Sequence, residues 1–196
     1  MNLNEYQNLA AETAFYPGRN ANLPGGAKHE EILKCSPIPF PGYVYTVLGL
    51  IGELTELKEI ANEVSDDFVI DENDRVKIIK ELGDCFWYLS QLTMELGIPF
   101  SQIEGEKECW KIGNYGPHYN CGLICEMVKK VIRDNCGNVT PIIKDKILRE
   151  LRIIYSHLLW FCRIYEIDPN VVMEENIKKL FSRKERGVLG GSGNDR

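Results

Sequence analysis

Glu53 with Glu56, and Glu81 with Asp84, form two pairs of carboxylates, each spaced three residues apart, inside stretches that otherwise read as helices built for burial. Residues three apart on a helix share a face, so each pair makes a two-carboxylate claw. Glu53 shares its face with Leu50 and Leu57, and Asp84 shares its own with Trp87 and Tyr88, which turns both claws toward the interior. Four inward carboxylates repel one another and are expensive to desolvate unless cations meet them. Hard oxygen donors select Mg²⁺, with Mn²⁺ as a substitute, over metals that favour thiolates. Mg²⁺ keeps several waters and binds phosphate oxygens, so a claw of four acids is a natural receptor for a triphosphate. The competing reading is that these are solvated helix acids paired with lysines such as Lys58 and Lys80, since the chain holds 29 acidic residues and such spacings also arise by chance. Neither claw contains a histidine, which disfavours a di-iron centre built on Glu-x-x-His pairs.

Cys109, His118, Cys121 and Cys125 are candidate zinc ligands, although they lack the tight Cys-x2-Cys pairs of a structural zinc site. Seven cysteines, an odd number set mostly in apolar helical patterns, suit reduced core thiols in a cytoplasm better than a disulfide framework. The opening "MNLNEYQNLAAETA" has neither a basic nor an apolar signal region, and no secretory signal is expected. A net charge of −6 without a long basic run argues against a duplex nucleic acid partner. The longest apolar run, Ile153 to Ile167, is broken by His157, Arg163 and Glu166 and is too short and polar to span a membrane.

The elements that must position the acids read as helices throughout. Periodicity predicts helices over 3–16, 43–64, 74–96, 121–135, 141–166 and 169–186, with a short segment over 101–112. Between them, 18–42 is a Gly/Pro-rich loop and "GNYGPHYN" is a second break; the tail from Gly187 carries four glycines. No convincing strand alternation occurs, so the expected fold class is all-α, a helical bundle.

An internal echo divides the chain. "LIGELTELKEI" matches "LICEMVKKVI", with Glu53 over Glu126, and "KELGDCFWYLSQLTMELGI" matches "RELRIIYSHLLWFCRIYEI", with Glu81 over Glu150. This predicts two tandem helical units, 1–112 and 113–196, sharing one compact fold. The second unit has lost the acid pattern, because Glu56 aligns with Lys129 and Asp84 with Ile153.

At "YTVLGLIGELTELKEI", "KELGDCFWYL" and "NIKKLFSRKERGVLGGSGNDR" the chain resembles the MazG-like all-α nucleoside triphosphate pyrophosphohydrolases, especially their short phage-type members. The family pattern is a Glu-x-x-Glu pair followed on the next helix by Glu-x-x-Asp, here separated by 24 residues. The resemblance implies hydrolysis of a nucleoside triphosphate, a dNTP first among them, to the monophosphate and pyrophosphate. Glu53, Glu56, Glu81 and Asp84 would be both the catalytic and the Mg²⁺-binding set, and members usually form dimers or larger homo-oligomers. Tyr88 matches a family position that contacts the nucleotide; Trp87 is placed either to stack on a base or to pack in the core, and Lys80 joins the substrate-binding set. The chain departs from the short members by about 70 residues inserted before "ENIKKL". The second unit nevertheless carries Asn176, Lys179, Arg183 and Arg186, phosphate-type donors that would complete the site of the first. A bland reading of "KKLFSRKER" is a solvated basic helix end favoured by the helix dipole. Two rivals to an enzyme are a catalytically inactive nucleotide-binding regulator or sensor and a purely structural helical oligomer.

Overall fold

The computed structural model describes residues 1–20, 22–25, 40–63, 70–104 and 116–189. Cys109, most of the 18–42 loop and the tail beyond residue 189 lie outside them. The described residues form six α-helices and one short 3-10 helix, with no strand among them. They are α1 (Leu3–Glu12), α2 (Gly42–Glu63), α3 (Glu72–Glu95), the 3-10 helix (Phe100–Ile103), α4 (Pro117–Asn135), α5 (Pro141–Ile164) and α6 (Pro169–Glu185). None is long and apolar enough to cross a membrane.

Local chemistry sets the helix starts. Asn2 caps α1 in a reciprocal arrangement with Glu5. Asp71 caps α3 through the Asp74 amide. Thr140 and Asp168 cap α5 and α6, each followed by proline at the first helical position, where its missing N–H has no partner to lose. α4 begins at Pro117 after Gly116, four residues before the expected start at Cys121. The Pro117 ring is preorganised for a first helical turn, so His118 to Asn120 belong to the helix rather than to the break. α1 stops at Glu12, short of the expected 16, because the Thr13 amide and hydroxyl both turn back to the Ala10 carbonyl.

α3 is the hub. Thirteen of its 24 residues are buried, against seven of 22 in α2, so α3 is enclosed on several sides while α2 is covered on one. It packs against α2, α6, α1 and α5; α4 pairs with α5 and also rests on α2. One hydrophobic core runs through all six helices, with Leu50, Leu54, Leu82, Phe86, Leu89, Ile124, Leu151, Ile154 and Val172 fully enclosed. Gln7 clamps α1 to the end of α3: its buried amide donates to Ser90, Thr93 and Ile98 and accepts from the Phe100 amide.

The turns that end α3 and α5 repeat one another at positions the internal echo aligns. The Ile98 amide returns to the Thr93 carbonyl at 2.8 Å, and the Ile167 amide returns to Cys162 at 2.8 Å. Each turn passes through a left-handed residue, Gly97 with φ 62° in the first and Glu166 with φ 52° in the second.

Candidate functional site

The α2 stripe from Leu50 to Leu57 is pinned in the core, which carries Glu53 to the seam between α2 and α3. Glu81 is buried at 4% exposure, and Asp84 sits one turn further along α3. Glu53, Glu81 and Asp84 each offer a carboxylate oxygen lying within 4.8 Å of the other two, the one such gathering of three or more acid, histidine or cysteine donors among the described residues. Glu56 is exposed one turn along α2 and stands outside this close set, though near enough to act on Glu53. Burial first, then Asp84, Glu56 and Glu81, push the Glu53 carboxyl up to about 8, against a lowering pull from Lys179.

The cationic partner comes from the far end of the chain. Lys179 on α6 places its ammonium 2.6 and 2.7 Å from the two Asp84 oxygens, in an ion pair with only 18% of each side chain exposed. Asn176, one turn earlier and 3% exposed, donates to Asp84 at 2.9 Å and accepts from the Tyr6 hydroxyl at 2.9 Å. The approach depends on Gly83: a Cβ there would lie 2.9 Å from that of Asn176, so any side chain would push α6 away from α3. Arg183, two turns after Asn176 on α6, is buried at 7% exposure. Arg186 is exposed at the end of α6 with its Nε donating to the Ser182 carbonyl. Lys80, Asn176 and Lys179 also line a groove of about 350 Å³ between α3 and α6, walled by Val76, Ile79, Val171 and Glu175.

The aromatic candidates divide. Trp87 is buried, and its indole N–H donates to the Ala10 carbonyl and the Thr13 hydroxyl, so the ring braces α1 against α3. Tyr88 is half-buried across α2, where Gly49 admits it; a Cβ on Gly49 would lie 2.0 Å from the ring. Burial raises the Tyr88 phenol, and Tyr45, Glu53 and Asp84 raise it further; its ring lies 6.2 Å from that of Tyr45.

His118, Cys121 and Cys125 do not gather as a metal site among the described residues. Cys121 and Cys125 face each other one turn apart on α4, and His118 meets the backbone of Leu54. The acids that echo the claw are engaged elsewhere: Glu126 pairs with Lys129 and Lys130 on its own helix, and Glu150 on α5 accepts from Asn120 on α4 at 2.8 Å.

Sequence reasoning missed Tyr6, Gly49, Gly83 and Tyr45. The two glycines were the available signal, since glycine inside an apolar helix marks a close approach by a neighbour.

No family model matches the chain, and no solved structure matches it. A stretch of 75 residues, 38% of this chain, is 35% identical to the "Gene 37 protein" of Mycobacterium phage L5. That stretch covers 66% of the phage protein's length, just under two thirds.

Proposed function

We propose that the protein is a Mg²⁺-dependent nucleoside triphosphate pyrophosphohydrolase of the MazG-like kind, acting on a dNTP. The observation that carries this reading is the meeting of three carboxylates from α2 and α3 with a lysine and an amide from α6. The donor set fits a hard divalent cation: all three groups are carboxylates, their oxygens lie within 4.8 Å of one another, and burial followed by repulsion from the neighbouring acids raises the Glu53 carboxyl well above its ordinary range. Glu53, Glu81 and Asp84 would hold the ion, and Glu56, one turn along α2, would add negative charge beside it. A divalent ion there supplies charge neutralisation on phosphate oxygens and acidifies the attacking water.

The chain's own residues do the rest. Lys179 exchanges its Asp84 oxygens for those of the phosphate, its flexible stem carrying the ammonium between the two. Asn176, fixed by Tyr6, keeps Asp84 oriented when the lysine leaves. Arg183 and Arg186 extend the positive charge of α6 along the leaving pyrophosphate. Trp87 holds α1 and α3 together rather than touching substrate.

The test is a panel of dNTPs and NTPs with Mg²⁺ and identification of products. Equal amounts of monophosphate and pyrophosphate from at least one substrate support the reading. The Asp84–Lys179 ion pair, which already satisfies one carboxylate, favours a second reading as a nucleotide-binding regulator. Saturable nucleotide binding with no release of pyrophosphate would establish that alternative.

A further inference from the structure

Two of the zinc candidates stand side by side although zinc's full donor set does not gather. Cys121 and Cys125 lie four residues apart on α4, which puts them on one face of the helix, and both are free thiols. Cys121 is fully enclosed, while Cys125 is half-buried, so a small ion can reach the pair from its side. The Cys121 thiol donates a hydrogen bond to the Cys125 sulfur, which lowers the Cys125 thiol to about 7. One sulfur of the pair is thereby readily held as thiolate, the form that binds soft metals.

A disulfide is the first product to consider for two neighbouring thiols, but the helix opposes it. Residues four apart hold their Cβ atoms about 5–6 Å apart, whereas a disulfide draws them to about 3.8 Å, so a direct S–S bond would require α4 to unwind. A single atom placed between the sulfurs fills the gap with the backbone left as it is. The number of donors then selects the atom. Zinc and iron–sulfur clusters are held by larger donor sets. No third acid, histidine or cysteine joins this pair among the described residues: the one gathering of three such donors is the acid cluster of α2 and α3, and His118 turns to the Leu54 backbone. Monovalent copper prefers soft thiolates and is satisfied by two of them in a line. Ile124 and Val128, buried on the same stretch of α4, leave little room for water to add a further ligand.

We propose that Cys121 and Cys125 form a two-coordinate site for monovalent copper, clipped across one turn of α4. The ion displaces the proton that the two sulfurs share and leaves a bis-thiolate carrying one negative charge. The site is independent of the hydrolase reading, because the carboxylates of α2 and α3 and the sulfurs of α4 select metals of opposite character.

Competition for Cu⁺ between the reduced full chain and the chelator bicinchoninate, without oxygen, tests the site. The wild type is expected to take up Cu⁺ with two sulfur neighbours in its X-ray absorption spectrum. Cys125→Ser, at the half-buried position, should bind Cu⁺ more than about 100-fold more weakly, because half of the donor set is gone. Cys121→Ala should do the same, whereas serine at Cys35, Cys109 and Cys136 together should leave the affinity unchanged. Wild-type Cu⁺ affinity in Cys125→Ser overturns the site, as do three or more sulfur neighbours in the wild type, or loss of binding when only Cys35, Cys109 and Cys136 are replaced. A Cys121–Cys125 disulfide found by peptide mapping of the air-oxidised, folded chain would overturn the premise that α4 holds the two sulfurs apart.

Discussion

The internal echo in the sequence sets Glu53 on α2 over Glu126 on α4, yet their surroundings drive them in opposite directions. Burial and neighbouring acids push Glu53 up to about 8, whereas Lys129 and Lys130 hold Glu126 below the usual carboxylate range. Their helix partners differ in the same way. Glu81 on α3 belongs to a cluster of three acids, while Glu150 on α5 meets the single amide of Asn120. The acids of α4 find cations within one turn of their own helix, in exposed pairs worth little. Those of α2 and α3 must wait for Lys179, 95 residues further along the chain from Asp84. Acids neutralised locally have no excess charge to offer a ligand; acids gathered first and neutralised from a distance do.

The sharpest way to break this comparison is to remove one acid from each side. On the hydrolase reading, Glu81→Gln should reduce pyrophosphate release by more than about 100-fold, since losing a direct ligand would exceed the effect of losing a group that merely supports one. Glu150→Gln should leave turnover intact. Steady-state assays on both variants decide the matter, and a large loss in Glu150→Gln would mean that α4 and α5 hold a live site.

Replacing the distant cation comes next in size. Lys179→Met should bind Mn²⁺ about tenfold more tightly without nucleotide, because the metal no longer competes with an ammonium for Asp84, and should bind triphosphate about tenfold more weakly. Titration followed by the electron paramagnetic resonance of Mn²⁺ reads the first effect. Unchanged metal affinity would show that Lys179 does not occupy the ion's place.

The opposed shifts of Glu53 and Glu126 give a smaller, pH-dependent contrast. The Glu53 carboxyl is raised from 4.5 to about 8 in the fold, so between those values the folded chain holds a proton that the unfolded chain has lost. Its contribution to stability therefore declines as pH rises through that window. A divalent ion needs the deprotonated group, so the gain in Tm from Mg²⁺ should be larger at about pH 8.5 than at about pH 6. In Glu53→Gln that pH dependence should flatten, while Glu126→Gln should retain it. An equal Mg²⁺ gain at both pH values in the wild type would count against Glu53 as a ligand.

Much of this was legible in the sequence for a plain reason. Helices α2, α3, α5 and α6 carry long, regular apolar stripes, and a stripe that places Leu50, Leu54 and Leu57 inside also fixes where Glu53 points. The starts of α5 and α6 were legible because Thr140–Pro141 and Asp168–Pro169 are strong local signals. What escaped depends on partners remote in sequence. Trp87 reads equally well as a base platform or a core residue until its N–H meets Ala10 and Thr13 on α1. Glu56 shares the spacing of Glu53 but lies just far enough round the helix to stay exposed. Tyr45 carries no local signal of its packing, because the ring stacked on it comes from residue 16.

The smallest contrast lies in the paired turns. Gly97 and Glu166 adopt the same left-handed backbone, which only glycine accepts without strain. Glu166→Gly should raise stability by about 0.5–1 kcal/mol, and Gly97→Ala should lower it by a similar amount. Urea unfolding measures both; a destabilised Glu166→Gly would show that the glutamate side chain compensates for its own backbone.

Tyr6, Asp84 and Asn176 meet around the bare backbone of Gly83, which ties α1 to α6 through α3. During synthesis, a ribosome that has released α1, α2 and α3 has delivered every carboxylate of the cluster but neither the ammonium nor the amide that steadies Asp84. The cluster must remain hydrated, without its ammonium and amide partners, until α6 emerges, so the nascent chain cannot close this part of its interior before then.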